Sequence, residues 1–317
     1  MHYIKDFHEG DRIREVYLCK NRTSAVTKNG KSYDTISLQD RTGSIDGKIW
    51  EPDDPGIDDC EKLDYVEVTG EVTSFNGALQ MKVTRVRVAR EGEYDPADYL
   101  PVSPRNNDEM YQELKELIAS VKNPYYNALL TKLFVENTEF VSVFRKSSAA
   151  KSVHHGYVGG LLEHTVSVAH LCEYYCKAYP ILKHDLLITA ALCHDIAKTK
   201  ELSSFPENDY TDEGQLLGHI VMGAQMVGEL AAQIPDFPKV LLTQLQHCIL
   251  AHHGKYEYGS PKLPAIIEAV ALNYADDTDA KMEIFKELLD GNPENKGWLG
   301  FNRMFESNLR ATLGDLE

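Results

Sequence analysis

The spacing of apolar residues changes once along this chain, near residue 108, from strand-like alternation to helical periodicity. Residues 1–90 are rich in β-branched and aromatic side chains, and turn sequences such as KNGK and DRTG separate the apolar segments. This pattern of short strands predicts a small β-barrel or sandwich. The expected strands are RIREVYLC (12–19), SYDTISL (32–38), SIDGKIW (44–50), YVEVTGEV (65–72) and LQMKVTRVRVA (79–89).

The segment 91–107 is acidic and contains three prolines, which is typical of a linker. From Asp108 onward apolar residues recur about every 3.6 positions, and Asp108 itself can cap the first helix. We therefore expect an α+β multidomain chain, with a β-barrel over 1–90, a linker over 91–107 and an all-α domain over 108–317. The later helices are expected over 160–178, 185–199, 214–234, 238–252 and 263–289.

The net charge of −16 argues against bulk electrostatic capture of nucleic acid. Residues 1–90, however, hold 14 Lys and Arg against 16 Asp and Glu and so carry a charge of only −2, which means that any nucleic-acid surface must be local. The six cysteines are scattered and the N-terminus is charged, which predicts reduced thiols, no secretion signal and a cytoplasmic location. No apolar run is long enough to span a membrane.

The second domain carries an ordered series of histidines and aspartates. His194 and Asp195 follow the apolar segment DLLITAALC, and together they offer a nitrogen and an oxygen ligand for a divalent cation. The carboxylate could bridge two ions, an arrangement that serves phosphoryl hydrolysis. Other members lie on separate helical segments, which can converge inside a bundle. The predicted metal site comprises His164, His194, Asp195, His219, His252, His253 and Asp276.

This order of residues matches the HD-domain superfamily of metal-dependent phosphohydrolases. More closely, the chain resembles the YhaM-type 3′→5′ exoribonucleases, which join an N-terminal OB-fold to an HD domain. The resemblance rests on TKNGKSY and DRTGSIDGKIW in the first domain, and on HHGYVGGLLEHT, CHDIAKTKEL, LLGHI, LAHHG and YADDTDAK in the second. It implies a five-stranded OB-type barrel and hydrolysis of single-stranded RNA from its 3′ end to nucleoside 5′-monophosphates. Since no residue identifies a reader of the 2′-hydroxyl, single-stranded DNA is a further expected substrate.

The resemblance also implies roles for the ligand set. One ion would be held by His164, His194, Asp195 and Asp276, and the other by Asp195, His219, His252 and His253. Manganese is the metal that the resemblance implies, although iron, cobalt or zinc would also suit these ligands. Lys198 would offset charge on the phosphate during catalysis, or else be a solvated lysine at a helix end. Asp279 is an alternative to Asp276 as the acidic ligand.

Substrate contacts are expected in both domains. In the barrel, basic residues of the segment 20–31 would follow the backbone of the strand, and aromatic rings would stack on its bases. About half of these rings should instead lie in the core, because small barrels bury large side chains. In the helical domain, two histidines before the His164 helix would bind phosphate, bind a further metal or cap that helix. The barrel candidates are Lys20, Arg22, Lys28, Lys31, Tyr17, Tyr33, Trp50 and Phe75, and those of the helical domain are Arg145, Lys151, His154 and His155.

Two other functions remain open from the sequence. An HD site alone would also suit a phosphohydrolase of small or cyclic nucleotides. Alternatively, the chain would be a non-catalytic single-strand-binding protein with an inert helical domain. For the barrel itself, the alternative to binding single strands is self-association into a homo-oligomer without contact to nucleic acid, and both roles could coexist.

Overall fold

The computed structural model describes residues 1–27, 30–75, 78–95, 98–151, 155–292 and 295–312. The chain divides into two compact units. The first comprises Met1–Val102 with Ser204–Glu207, and the second comprises Ser103–Ser203 and Asn208–Glu317.

The first unit is a closed five-stranded barrel with strand order β1-β2-β3-β5-β4, which confirms the predicted OB-type barrel. All neighbouring strands pair antiparallel except β3 and β5, which pair parallel. Inward-facing residues such as Ile36, Val68 and Met81 are fully buried and form its core. The strands are β1 (Arg12–Val26), β2 (Ser32–Asp40), β3 (Gly43–Ile49), β4 (Tyr65–Phe75) and β5 (Ala78–Val88).

Strand β1 is longer than the sequence indicates. Residues 20–26, which we expected in the loop between the first two strands, continue the pairing with β2 as far as Val26 opposite Ser32. The polar side chains of this stretch hide its strand character, because ladder hydrogen bonds require only the backbone. Tyr17 is also not a stacking residue, since its ring is fully buried in the barrel core.

The second unit is helical, as predicted. Among the described residues, no helix is both long and apolar enough to cross a bilayer. Its helices are α1 (Asn107–Ser120), α2 (Pro124–Thr131), α3 (Thr138–Phe144), α4 (Gly160–Ala178), α5 (His184–Cys193), α6 (Lys198–Glu201), α7 (Asp212–Ala232), α8 (Lys239–Ala251) and α9 (Ile267–Asp290).

Several helix boundaries differ from the expected ones. Asn106, rather than Asp108, caps α1 by accepting hydrogen bonds from two backbone N–H groups of the first turn. The helix expected over 185–199 ends at Cys193 and resumes only at Lys198. Helix α7 bends at Gly218, whose φ of 73° lies in the left-handed region that glycine tolerates.

A two-stranded antiparallel hairpin follows α9 and was not predicted. It consists of β6 (Trp298–Asn302) and β7 (Ser307–Arg310). The core of the helical unit lies among α1, α2, α4, α5, α7, α8 and α9, with Leu161, Leu187 and Leu272 fully buried. This packing brings the histidine-bearing ends of several helices together.

Candidate metal centre

Three helical segments bring the first group of predicted ligands together. His164 lies on α4, His194 directly follows α5, and Asp276 lies on α9. The Nε2 atom of His164 is 3.1 Å from His194 Nε2 and 3.1 Å from Asp276 Oδ1. Two ring nitrogens and a carboxylate oxygen that converge in this way can share a cation.

Asp195 faces two different histidine pairs with its two oxygens. Its Oδ2 lies 3.5 Å from His164 Nε2 and 3.4 Å from His194 Nε2. Its Oδ1 lies 3.4 Å from His219 Nε2 and 3.6 Å from His252 Nε2. The carboxylate is buried, so this division suits a group that contacts two cations.

A second group is formed by His219 on α7 and by His252 and His253, which follow α8. Burial lowers the pKa of His252 and lowers that of His253 to about 4, so both rings stay neutral and able to bind metal. Gly254 permits the turn after them, because its φ is 76° and a Cβ there would lie 2.5 Å from the Asn273 side chain.

Buried atoms without partners test whether a metal fits. Among the described residues, nothing offers a hydrogen bond to Asp195 Oδ1, His219 Nε2 or His252 Nε2, although all three are inaccessible to solvent. Unsatisfied buried polar atoms are costly and rare, and these three face one another. Nitrogen and oxygen lone pairs that converge without a proton donor fit a divalent cation.

The second nitrogen of each histidine is already occupied. The Nδ1 atoms of His194, His252 and His253 donate to the carbonyls of Ala191, Ile249 and Tyr258 at 2.7, 2.6 and 2.8 Å. Because a carbonyl can only accept, the proton is on Nδ1 and the lone pair is on Nε2. This tautomer directs Nε2 towards the candidate metal site. Metal-binding histidines in other proteins are commonly oriented by such a hydrogen bond from the second ring nitrogen.

Carboxylates orient the other two histidines. Glu201 accepts hydrogen bonds from both the backbone N–H and Nδ1 of His219, at 3.0 and 2.8 Å. Asp279 Oδ2 lies 2.7 Å from His164 Nδ1. Glu201 was missed from the sequence, although it lies within the CHDIAKTKEL motif, because a helical glutamate is usually solvent-exposed.

Asp276 and Asp279 therefore occupy different positions. Asp276 faces the Nε2 side of His164, on which His194 and Asp195 also lie, whereas Asp279 contacts the Nδ1 side. Burial opposes ionisation of both, but hydrogen bonds from the histidines hold the pKa of each below its usual range. Burial of His164 opposes a charge on its ring, but hydrogen bonds with Asp195, Asp276 and Asp279 raise the pKa of His164. The three carboxylates therefore favour positive charge at this position.

Lys198 is not a solvated lysine. Its Nζ lies 2.6 Å from Asp195 Oδ2, and its side chain is 12% exposed. Burial opposes its charge, but the attraction of Asp195 raises the pKa of Lys198 above its usual value. A permanent cation thus lies beside the carboxylate at the centre of the site.

A buried polar chain lies behind His164. His155 is 2% exposed, and its Nε2 lies 3.0 Å from Asp279 Oδ2 while its Nδ1 lies 2.9 Å from the Tyr157 hydroxyl. Tyr157 donates in turn to Glu163, at 2.9 Å. His155 therefore does not cap α4, and its buried ring is not presented to substrate phosphate. With His164 and Asp279 it forms a further group of possible metal ligands, so the expectation of a further metal stays a prediction. His154 lies outside the described residues.

The basic candidates of the helical unit have internal partners. Arg145 pairs with Asp108, hydrogen-bonds to Asn107 and lies over the Tyr111 ring at 4.8 Å, which ties it to α1. These contacts explain the position of the Arg145 side chain without a role in substrate binding. Lys151 lies 2.5 Å from Asp209, with about half of its side chain exposed.

Some of the barrel candidates have partners within the barrel, whereas others are accessible to solvent. Arg22 is largely buried and lies 2.8 Å from Asp34, so it stabilises the barrel and is no longer assigned to nucleic acid. Tyr33 and Trp50 pair with ring centroids 5.3 Å apart, and Trp50 is 43% exposed. Lys31 lies 3.2 Å from Glu51.

Among the other barrel candidates, Lys20 is exposed and Phe75 is 63% exposed. Lys28 lies outside the described residues.

Comparison with known proteins relates both units to established families. Residues 161–281 match the HD domain, and residues 17–89 match a family described as an OB-fold nucleic acid binding domain. The 3'-5' exoribonuclease YhaM of Geobacillus sp. (strain WCH70) is 35% identical over 292 residues, which cover 90% of this chain and 88% of that protein. The second OB-fold domain of replication protein A from Methanococcus maripaludis, solved by NMR, aligns with a TM-score of 0.22 and 18% identity, over 30% of this chain and 98% of that domain.

Proposed function

Since this chain belongs to the family of the 3'-5' exoribonuclease YhaM, we propose that it is a metal-dependent exoribonuclease that shortens single-stranded RNA from its 3′ end. The arrangement around Asp195 carries this proposal. Its two oxygens face separate histidine pairs, and buried lone pairs converge there without proton donors. Such a site is suited to phosphodiester hydrolysis and requires no covalent intermediate.

We propose that two ions are bound. Divalent ions in a site of this kind activate water and neutralise charge on the phosphoryl group. We propose manganese from the family resemblance, because mixed histidine and carboxylate ligands suit it as well as several other metals. One ion would be held by His164, His194, Asp195 and Asp276, and the second by Asp195, His219, His252 and His253.

The residues around these ligands have positioning roles in this proposal. Asp279 and Glu201 hold the rings of His164 and His219 with Nε2 directed inward. Lys198 keeps a proton on Nζ beside Asp195, where its charge offsets negative charge on the phosphate. The products are nucleoside 5′-monophosphates.

The barrel is proposed to hold the single strand. Trp50 and Tyr33 form an accessible aromatic pair, and Lys48 Nζ lies 5.6 Å from the centre of the Tyr33 ring. Aromatic stacking beside a cation binds single strands with little sequence preference. Because these contacts do not involve the 2′-hydroxyl, we expect single-stranded DNA to be bound and cut as well. The six free cysteines support a reducing compartment, and we propose the cytoplasm.

The test uses metal-stripped, full-length protein and single-stranded RNA labelled at its 5′ end, with and without Mn²⁺. We expect a Mn²⁺-dependent ladder that shortens from the 3′ end, which Asp195→Asn abolishes. Asp277→Asn is the matched control, because Asp277 is exposed on α9 and pairs with Lys281 on the surface, at 2.7 Å.

Other outcomes would support the alternatives. Intact RNA together with Mn²⁺-dependent hydrolysis of small or cyclic nucleotides would replace the exoribonuclease by a small-molecule phosphohydrolase. RNA binding without turnover under any divalent metal would indicate a single-strand-binding protein.

A further inference from the structure

The hairpin after α9 has one buried and one exposed face. Trp298 pairs with Arg310 and Phe301 with Asn308, and the extra residue at position 299 shifts the register between them. Counted along β7, positions 308 and 310 lie on the same face, so the bulge places Trp298 and Phe301 together. Their side chains are 64% and 66% exposed, whereas Leu309 on the opposite face is 7% exposed.

The hairpin is fixed to the helix that carries the acidic metal ligand. Phe305 lies in the turn between β6 and β7 and packs edge-on against Phe285 of α9, with ring centroids 5.6 Å apart. Phe285 lies nine residues after Asp276, which corresponds to about 14 Å along the helix axis. The exposed aromatic face is therefore supported by a rigid element that extends from the metal centre.

The hairpin is basic although the chain as a whole is acidic. Residues 295–312 contain Lys296, Arg303 and Arg310 and a single acid, Glu306. The Arg310 guanidinium lies over the Trp298 ring at 5.6 Å from its centroid. The adjoining sequence is acidic, with Glu294, Asp315 and Glu317, so positive charge is confined to the hairpin.

We propose that this face of the hairpin is a second binding site for single-stranded RNA, on which Trp298 and Phe301 stack on bases while Arg303 and Arg310 contact phosphates. The proposal rests on the proposed function, because the occupant is the substrate strand. It assigns the helical unit its own contact with the polymer, separate from the barrel.

The chemistry of the face favours RNA over other occupants. Exposed tryptophan, phenylalanine and arginine are also common at protein interfaces, but lysine is depleted there. Here two rings share one face with Arg310 and Asn308, and Lys296 and Arg303 add charge nearby. Flat rings interleaved with cations match a polyanion that exposes flat bases.

Intrinsic fluorescence provides a direct test, because the chain has only two tryptophans, Trp50 and Trp298. The Trp50→Phe variant keeps an aromatic ring in the barrel and leaves Trp298 as the sole tryptophan. We expect single-stranded oligouridylate, titrated into the metal-stripped variant, to quench Trp298 emission and protect it from acrylamide. Saturation is verified independently by the anisotropy of a labelled RNA.

Substitutions then measure the contribution of the face to affinity. Trp298→Ala and Phe301→Ala should each weaken RNA binding about fivefold or more, as expected for loss of one stacked base. Arg303→Gln should lower the slope of log affinity against log salt by about 0.7, the value for one phosphate contact of a single strand. Tyr179→Ala is the matched control, because this ring is 61% exposed on the same unit but lies in an apolar groove.

Trp298 emission that is unchanged at saturating RNA would overturn the proposal. It would also be overturned if the alanine variants bound RNA like the wild type. A lower sedimentation mass in those variants would then assign the face to contact with a second copy of the chain. A wild-type protein that neither binds nor shortens RNA would refute the proposed function. If the wild type does both and the hairpin variants behave like it, only the hairpin site is refuted. Thermal unfolding of each variant verifies that its fold is retained.

Discussion

Replacing Asp279 by alanine and, separately, by asparagine tests whether this residue orients His164 or binds the metal directly. Its Oδ2 lies 2.7 Å from His164 Nδ1 and 3.0 Å from His155 Nε2, so a single oxygen accepts both hydrogen bonds. Alanine removes that acceptor. Asparagine can place its amide oxygen at the same position and loses only the negative charge.

The two variants should therefore differ in metal affinity. Loss of an outer contact to a metal-binding histidine typically costs about 10- to 100-fold in affinity, or about 1.4–2.7 kcal/mol, and we expect this for Asp279→Ala. A hydrogen bond to a charged group is stronger than a neutral one by about 1 kcal/mol. Asp279→Asn should therefore lose about fivefold. Asp276→Ala should lose more than either, because it removes a proposed ligand.

The assay is calorimetric titration of Mn²⁺ into metal-stripped protein, with Asp277→Asn as the control on the same helix. If Asp279 were itself a ligand, asparagine would be nearly as damaging as alanine, because a neutral amide is a poor substitute for carboxylate. Equal losses in the two variants would therefore refute the orienting role. Wild-type affinity in Asp279→Ala would refute any role in metal binding.

Three further predictions concern stability and thiol chemistry. Mn²⁺ at 100 times its dissociation constant should stabilise the stripped protein by about 2.7 kcal/mol in calorimetric unfolding, and Asp195→Asn should abolish most of that gain. Gly254→Ala should lower the unfolding free energy by about 1–3 kcal/mol in denaturant titration, because φ at this position is positive and the new Cβ would lie 2.5 Å from the Asn273 side chain. A hydrogen bond from Cys19, with Arg22 nearby, lowers the pKa of Cys60 to about 7 against the desolvation of its site. Thiolate absorbance should therefore rise through neutral pH with Cys60→Ser as the blank, and Arg22→Met should shift that rise to higher pH.

The barrel and most helices were predictable because burial imposes a period on the sequence. Helix α4 begins and ends at the expected residues, since its apolar face is continuous. The end of β1 and the hairpin were not predictable, because polar residues 20–26 pair through the backbone and Trp298 and Phe301 break the alternation of two at a bulge. The domain boundaries at 90 and 107 stay predictions.

The candidate ligands could be proposed from the sequence because metal chemistry favours histidine and carboxylate and because their order resembles that of the HD-domain superfamily. Their orientation was not, because it depends on groups with no sequence signature. The carbonyls that fix His194 and His252 belong to Ala191 and Ile249, three residues earlier, and are available only because each helix ends there. Arg22 was assigned to RNA because its burial against Asp34 depends on the barrel closing around it.

The acidity of the chain, with a net charge of −16, gives a polyanionic substrate little general electrostatic attraction. Candidate cations that the sequence offered for RNA, such as Lys31 and Lys151, pair with Glu51 and Asp209. Aromatic side chains at Trp50 in the barrel and at the hairpin remain accessible. If the proposed function holds, substrate affinity would derive mainly from stacking and from metal contacts to phosphate. It should therefore depend less on salt than the affinity of a basic RNA-binding protein does.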